Sequence, residues 1–535
     1  MFATLKRFMR GGEKVYWLRV PREEEAEHTL LLDDPGTGKS QIIHCFLAQI
    51  AGREPPEAAV VYDPACEFVE RHFDGGRGDL ILNPLDVRFP SWSPSSEVRY
   101  ATDRKLIAES FFPGRAGETA TPTDFFVKAS RSIFARMLEF DPGPAQVVEW
   151  LRDARHIDRL VAGTEHAHLI DKKAANQRGG VLGSLSDVGE TFRLLPGRDE
   201  CRHELSLTGW AGRRRGWIFI TSTQDTRSQL RPLHAAFIDI LMKRLMAVSP
   251  EWGRRNPCWL IVDEAHSLKR LPSLYAAETE GRKYGLKLVL GTQNKHQFEE
   301  HYGRSAPTML SAPHLKIFLR CNEPESARWV SEVIGEDERE RLRVGTTAAV
   351  DARGRDSINY STVTERRAVV SKEEIMSLPN LHGYWKYEDK VVPFRYRARD
   401  YRQVARGFRP RAAIMASTLA VDDGGPRGRP RATPRDAARH PPELGVPGRR
   451  AAADCLIEAE NLGRLETAEN GPEYASQDPR TQGVGAPRNS ARGAVQISPD
   501  EALADEQDDD QEHERQLDEP GNGAARTFYQ DTLDL

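Results

Sequence analysis

The stretch LLLDDPGTGKS, Leu30–Ser40, carries the residue types that cradle a phosphate. Gly36 and Gly38 let backbone N–H groups turn toward phosphate oxygens with no Cβ in the way. Lys39 supplies a cation for the β- and γ-phosphates, and Ser40 supplies a hydroxyl for magnesium. A helix beginning near Lys39 points its dipole at the anion. Pro35, Thr37 and Gln41 complete the candidate nucleotide-binding set, and ATP with Mg2+ is the cofactor pair such a loop takes. One position departs from the pattern G-x-x-x-x-G-K-[ST]: Asp33 stands where the first glycine belongs. Aspartate tolerates unusual backbone angles better than most residues, so the turn is expected to survive. Its carboxylate would repel phosphate unless it points away, and a working loop of weakened affinity is expected.

A second acidic motif follows in WLIVDEAH, Trp259–His266. Asp263 at the end of an apolar run is placed to hold a magnesium shell, and Glu264 to orient and deprotonate an attacking water. LVLGTQN puts Gln293 just past another strand, where an amide senses a γ-phosphate. Arg282 in EGRKYGLK and Arg320 in FLRCN are candidates for a cation given to a neighbouring subunit's γ-phosphate. Arg320 is preferred, because it ends a buried strand at the expected sheet edge. The letters DEAH at 263–266 do not make a helicase. No second arginine-bearing nucleotide-binding half follows Gln293, and an inserted domain explains the long gap between the two motifs.

Positioning these groups needs strands that end at one edge. HTLLL, EAAVVYDP, RGWIFITST, PCWLIVDEAH, LKLVLGTQN and HLKIFLRCN are short buried runs, and helical spacing follows the first in SQIIHCFLAQIAG. This alternation predicts an α/β fold with a mostly parallel sheet. Between about 97 and 195, DRKLIAESFF, DFFVKASRSIFARMLEF, AQVVEWLRDA and HIDRLVAG all repeat apolar residues at i, i+3, i+4, which predicts an all-helical insertion. From about Ala405 the chain turns to Pro, Gly and Arg and then to an acidic run, a composition that cannot bury a core and is expected to be disordered. The resulting division is a basic segment at 1–13, a nucleotide-binding domain in two parts at 14–96 and 196–404, the insert at 97–195 and the tail at 405–535.

Bulk composition excludes some classes. The chain has 535 residues, 39% of them hydrophobic, and a net charge of −4, so no partner follows from overall charge. Six scattered cysteines with no C-x-x-C spacing argue against a zinc site or a disulfide framework and fit a reducing compartment. The start, MFATLKRFMRGG, lacks the apolar core of a signal peptide, and no stretch has a membrane span's run of apolar residues. GWAGRRRGW (209–217) and KKAANQRGG (172–180) are basic, and the first is flanked by tryptophans that suit base stacking.

Several longer motifs carry a family likeness. LRVPREEEAEHTLLL, VVYDPACEFVERHFDGGRGDLILNPLDVRFPSWSPSSEV, the acidic strand, EGRKYGLKLVLGTQN, LKIFLRCNEPESARWVSEVIG and VSKEEIMSLPNLHGYWKY occur in the order of the type IV secretion coupling proteins. The chain resembles these TraD/TrwB-like conjugative DNA pumps over roughly residues 14–398. The resemblance implies a RecA-like P-loop domain with an all-α insert, assembled as a homo-hexamer that hydrolyses ATP between subunits. It implies partners as well: single- or double-stranded DNA, a relaxase or relaxosome, and the channel proteins of a type IV secretion system. Family roles fall on Lys39, Ser40, Asp263, Glu264 and Gln293, with Arg320 as the trans-acting arginine. Two departures stand out: Asp33, and the lack of the family's usual N-terminal membrane segment. A separate membrane partner, a truncated gene or a soluble member would account for the second, and a cytoplasmic protein, or one peripheral at the bacterial inner membrane through a partner, is expected. A different RecA/FtsK-like ring ATPase and a catalytically decayed scaffold are the alternatives to a DNA-moving ATPase.

Overall fold

The computed structural model describes residues 7–10, 13–16, 20–22, 24–114, 122–347, 357–411 and 457–458. Of the chain's two units, Met1–Glu469 and Asn470–Leu535, the first alone contains described residues. The expected tail from 412 onward, apart from 457–458, and most of the N-terminal basic segment lie outside them.

A short antiparallel pair, β1 (Arg7–Arg10) and β2 (Glu13–Tyr16), stands apart from the main sheet. The main sheet gathers β3 (Thr29–Leu32), β4 (Ala58–Asp63), β5 (Leu80–Leu82), β6 (Trp217–Thr221), β7 (Cys258–Val262), β8 (Leu286–Thr292) and β9 (Leu315–Phe318), all parallel. A separate ribbon pairs β10 (Glu336–Thr347) with β11 (Ser357–Ala368). Then β12 (His382–Tyr387), β13 (Lys390–Tyr396) and β14 (Ile457–Glu458) extend the sheet antiparallel. The order is β14-β13-β12-β9-β3-β8-β7-β4-β6-β5.

The apolar runs are continuous because both sheet faces are covered. Alternate residues of one strand enter different cores. Ala58, Val60 and Tyr62 of β4, with Leu260 and Val262 of β7, face one side. Ala59 and Val61, with Trp259 and Ile261, face the other. The second side is covered by α1 (Lys39–Ala51) and α2 (Glu67–His72), through Ile43, Leu47 and Phe68. The first side is covered by the helical segment α3 (Ala101–Phe111), α4 (Pro122–Met137), α5 (Pro144–Arg152), α6 (Ala154–Val161) and α7 (Ala175–Phe192). Here α8 (Leu207–Arg213) and α9 (Arg227–Leu245) join it. Each fully buried Val, Leu, Ile or Phe in these layers contributes about 1.5–3 kcal/mol.

Two expectations are corrected. First, β9 is not a sheet edge: β12 pairs along its outer side, Tyr384 opposite Phe318. The alternating half-polar sequence HGYWKY of β12 hides its strand character, since only every second residue is buried. Second, packed chain runs past 404 to Arg411, which is buried and donates to the carbonyls of Asp86 at 3.3 Å and Glu200 at 3.2 Å.

Candidate nucleotide site

β3 delivers Asp33 and the loop that follows it, and α1 begins at Lys39 with Gly38 as its cap. Gly36 and Gly38 have φ of 80° and 125°, a region that costs other residues strain. Asp33 is not among the positive-φ residues. Its N–H donates to the Thr292 carbonyl at 3.2 Å, continuing the ladder to β8, so this position makes no demand for glycine. The loop is pinned from outside: Leu381, itself at φ 63°, donates its N–H to the Thr37 carbonyl at 2.7 Å. Asp34 receives the Asn322 N–H on its carboxylate at 2.5 Å and donates its own N–H to the Arg320 carbonyl at 2.9 Å. Pro35 and Gly36 form the exposed tip, Thr37 is buried, and the Gln41 amide oxygen accepts from the Arg399 N–H at 3.1 Å.

Asp263 and Glu264 follow β7, which is separated from β3 by β8. Two strand spacings are about 9.5 Å, so Lys39 has to reach across β8. Gly291 makes this possible. A Cβ there would lie 2.0 Å from the Asp263 carbonyl oxygen and 3.1 Å from Lys39 Cδ. With none, Lys39 Nζ comes to 3.5 Å from Asp263 Oδ1. It lies closer still, at 3.0 Å, to Asp33 Oδ1, and the Thr37 hydroxyl donates to Asp33 Oδ2 at 3.2 Å. The Asp33 carboxylate therefore points into the cradle, the orientation that repels phosphate, because the buried ammonium beside it is its one strong partner.

Burial raises the Asp33 carboxyl to about 6, with Lys39 opposing the shift. Burial also raises Asp263, again against Lys39. For Lys39, burial works to lower the ammonium, but Asp263 and Asp33 outweigh it and hold the group above its ordinary value. Asp263 Oδ1 is buried, and the cation it faces is the Lys39 ammonium.

The structure brings together Lys39, Asp263 and, one residue on, Glu264, with Gln293 half-buried at the end of β8. Arg320 donates to the Leu378 carbonyl at 3.3 Å within its own chain. Arg282 precedes β8, at the end of the sheet away from the loop, and pairs with Glu27. Asp63, which ends β4, is buried; its carboxylate accepts the N–H groups of Glu67 and Val69 at 2.9 and 2.8 Å and so caps α2.

Sequence reasoning missed three neighbours. Arg227 at the start of α9 lies 3.0 Å from Glu264 Oε2. Glu67 is held below the usual carboxylate range by a bond from His44 and one from the Ser40 hydroxyl. His44 in turn sits 2.9 Å from His72 Nε2, under the ring of Tyr401. A histidine facing inward on the loop helix was the one available signal.

The basic stretches are not stacking platforms. Trp210 and Trp217 are buried, and Arg214 spends its guanidinium on the carbonyls of Asn256, Tyr284 and Leu245. Lys172 and Arg178 both pair with Asp158.

Comparisons with known proteins place the chain among coupling proteins. Residues 16–396 match the family described as type IV secretion-system coupling protein DNA-binding domain. Coupling protein TraD of Escherichia coli strain K12 is 28% identical over 412 residues, covering 74% of this chain and 56% of TraD. The chain thus spans little more than half of that relative's length. The unbound monoclinic form of the bacterial conjugative coupling protein TrwBdeltaN70 superposes with a TM-score of 0.64 at 24% identity, covering 77% of this chain and 98% of that one. The plasmid coupling protein TrwB in complex with ADP and Mg2+ gives 0.62 at 24% identity, covering 77% and 99%. At this identity these likenesses establish a shared fold.

Proposed function

The chain belongs to the type IV secretion-system coupling protein family, and from that membership we propose that it is an ATP-driven DNA translocase. In this reading it delivers a relaxase–single-stranded DNA complex to a type IV secretion channel. The observation that carries the reading is the meeting of Lys39 with Asp263 across the bare Cα of Gly291. A P-loop lysine and a strand-end acid so joined are the two halves of a magnesium–nucleotide site.

Lys39 would neutralise the β- and γ-phosphates, and the backbone from Pro35 to Gly38, with Thr37 and Gln41, would wrap them. Ser40 and Asp263 would hold Mg2+. The buried Asp263 carboxylate, already facing a cation in Lys39, fits that role. Among the described residues no cluster of His, Cys, Asp and Glu suits a metal unaided, so nucleotide oxygens would complete the shell. The ion, when bound, neutralises charge that develops on the phosphates. Glu264 would orient and deprotonate the attacking water, and Gln293 would register the γ-phosphate. Arg320 would serve a neighbouring subunit of a homo-hexamer. It follows the interior strand β9 and donates to the Leu378 carbonyl, so that role depends on release of this bond.

No helix among the described residues is long and apolar enough to cross a membrane.

Steady-state ATP hydrolysis, with and without single-stranded DNA, tests the proposal. Turnover that DNA stimulates is expected. Lys39→Ala should abolish it through lost binding, while Glu264→Gln should cut kcat by a factor on the order of 10²–10⁴ and keep nucleotide bound. Turnover indifferent to DNA in the native chain would point to a ring ATPase with another substrate.

A further inference from the structure

The Asp33 carboxylate occupies the ground a phosphate needs. It is 3% exposed, its partner Lys39 is 7% exposed, and they are 3.0 Å apart. Lys39 also faces Asp263 at 3.5 Å. One cation against two carboxylates leaves the cradle net anionic, the wrong sign for a polyphosphate. A nucleotide complexed with magnesium brings a cation that answers Asp263. Asp33 has only Lys39, the group the phosphate must take over. Any oxygen that replaces Asp33 on that ammonium lies alongside it, and two buried anions so placed cannot both stay charged.

The groups facing Asp33 are few. Lys39 comes from α1, Thr37 from the loop, Asp263 from the end of β7, and Cys321 from beyond β9. Burial keeps the Cys321 thiol protonated. Only Lys39 favours the charged carboxylate strongly, and burial already brings Asp33 to about 6.

Resting on the nucleotide reading of this site, we propose that Asp33 is a proton-coupled gate: nucleotide binds with uptake of one proton, which neutralises Asp33 and frees Lys39 for the phosphate. The proton comes from the buffer and forms one O–H bond on the carboxyl. The neutral acid then donates a hydrogen bond to a phosphate oxygen where the anion repelled it. The sign follows from linkage. Below about pH 6 the free protein already holds the proton, and affinity is flat. Above it, each pH unit weakens binding about tenfold until the carboxyl of the bound state titrates.

Calorimetric titration of the full chain with MgADP, at pH 7 in buffers of differing ionisation heat, counts the protons. Uptake of close to one proton by the native chain, and none above the nucleotide's own in Asp33→Asn, is expected. Asp33→Asn should also bind about tenfold tighter at pH 7 and about a hundredfold tighter at pH 8. The native proton count stands even if a variant folds poorly. Equal proton counts and equal affinities in the two proteins overturn the gate and leave the nucleotide site intact. No binding by either protein overturns the nucleotide reading, and the gate with it.

Discussion

At the scale of single residues, the site is held by pairs that nucleotide has to rearrange. Glu264 is not free: Arg227 lies 3.0 Å from its Oε2, and the same guanidinium reaches the Pro64 carbonyl at 3.4 Å. Arg227 thereby fixes where the carboxylate points, which makes it a positioning residue. Arg227→Ala is expected to lower kcat on the order of tenfold with KM for ATP unchanged, since it touches no cradle atom. A rise in KM of the same size would mean that Arg227 binds nucleotide. Much at this scale was legible. The lysine, the glycines and the acidic pair are local patterns marked by spacing alone, and the structure brings the lysine to the first of the acids. Arg227 was not legible, because its partner Glu264 is far away in sequence, and the direction of Asp33 was not, because it is set by the loop's fold, which turns Lys39 back toward it.

At the scale of elements, the site depends on a strand order that places β8 between β3 and β7. Gly291 is the point where that order becomes chemistry. Gly291→Ala would drive a Cβ to 2.0 Å from the Asp263 carbonyl, a backbone atom with no rotamer to escape into. The expected result is a loss of about 1–3 kcal/mol, seen as a lower urea midpoint, together with loss of MgADP binding. Intact binding would show that Lys39 and Asp263 need not meet across β8. The parallel strands were readable as short apolar runs bounded by turns. β5 has three residues, too short for periodicity to mark, and β12 buries only alternate side chains. Missing β12 is what made β9 look like an edge. The tryptophans of GWAGRRRGW misled for a related reason: an aromatic beside arginines is also how a strand entry is packed, with Arg77 over the Trp217 ring at 3.6 Å.

At the scale of the whole molecule, distant parts are tied to the nucleotide helix by one late segment. Its backbone reaches Gln41 at Arg399, Glu70 at Val404 and Asp86 at Arg409, and Arg411 reaches Glu200. Folding of the unit is therefore a collective property, and one buried group gives it a measurable pH dependence. Glu278 is 6% exposed, and neither carboxyl oxygen has a hydrogen-bond partner. Burial lifts it to about 9. The folded state thus keeps a proton that the unfolded chain gives up near its ordinary value of 4.5. Stability from this group is complete below that value and declines as pH rises toward 9. His28, pushed down to about 4 by burial, acts in the opposite direction, but its change ends near its ordinary value of 6.5. Lys316, lowered to about 8 by burial, acts in the same direction as His28, and its effect is only half developed at pH 8. Asp63, raised by burial to about 7, adds to the decline up to that pH, and His72 and His234, pushed down to about 3 by burial, act with His28. Between pH 7 and 8 these contributions fade and Glu278 supplies the main slope, about 1.4 kcal/mol. Glu278→Gln keeps a neutral side chain of the same shape and removes the proton. The native urea midpoint should fall from pH 7 to pH 8, and that of Glu278→Gln should fall by less. Parallel midpoints in the two proteins would mean that Glu278 is charged in the fold and that water or a shifted neighbour solvates it.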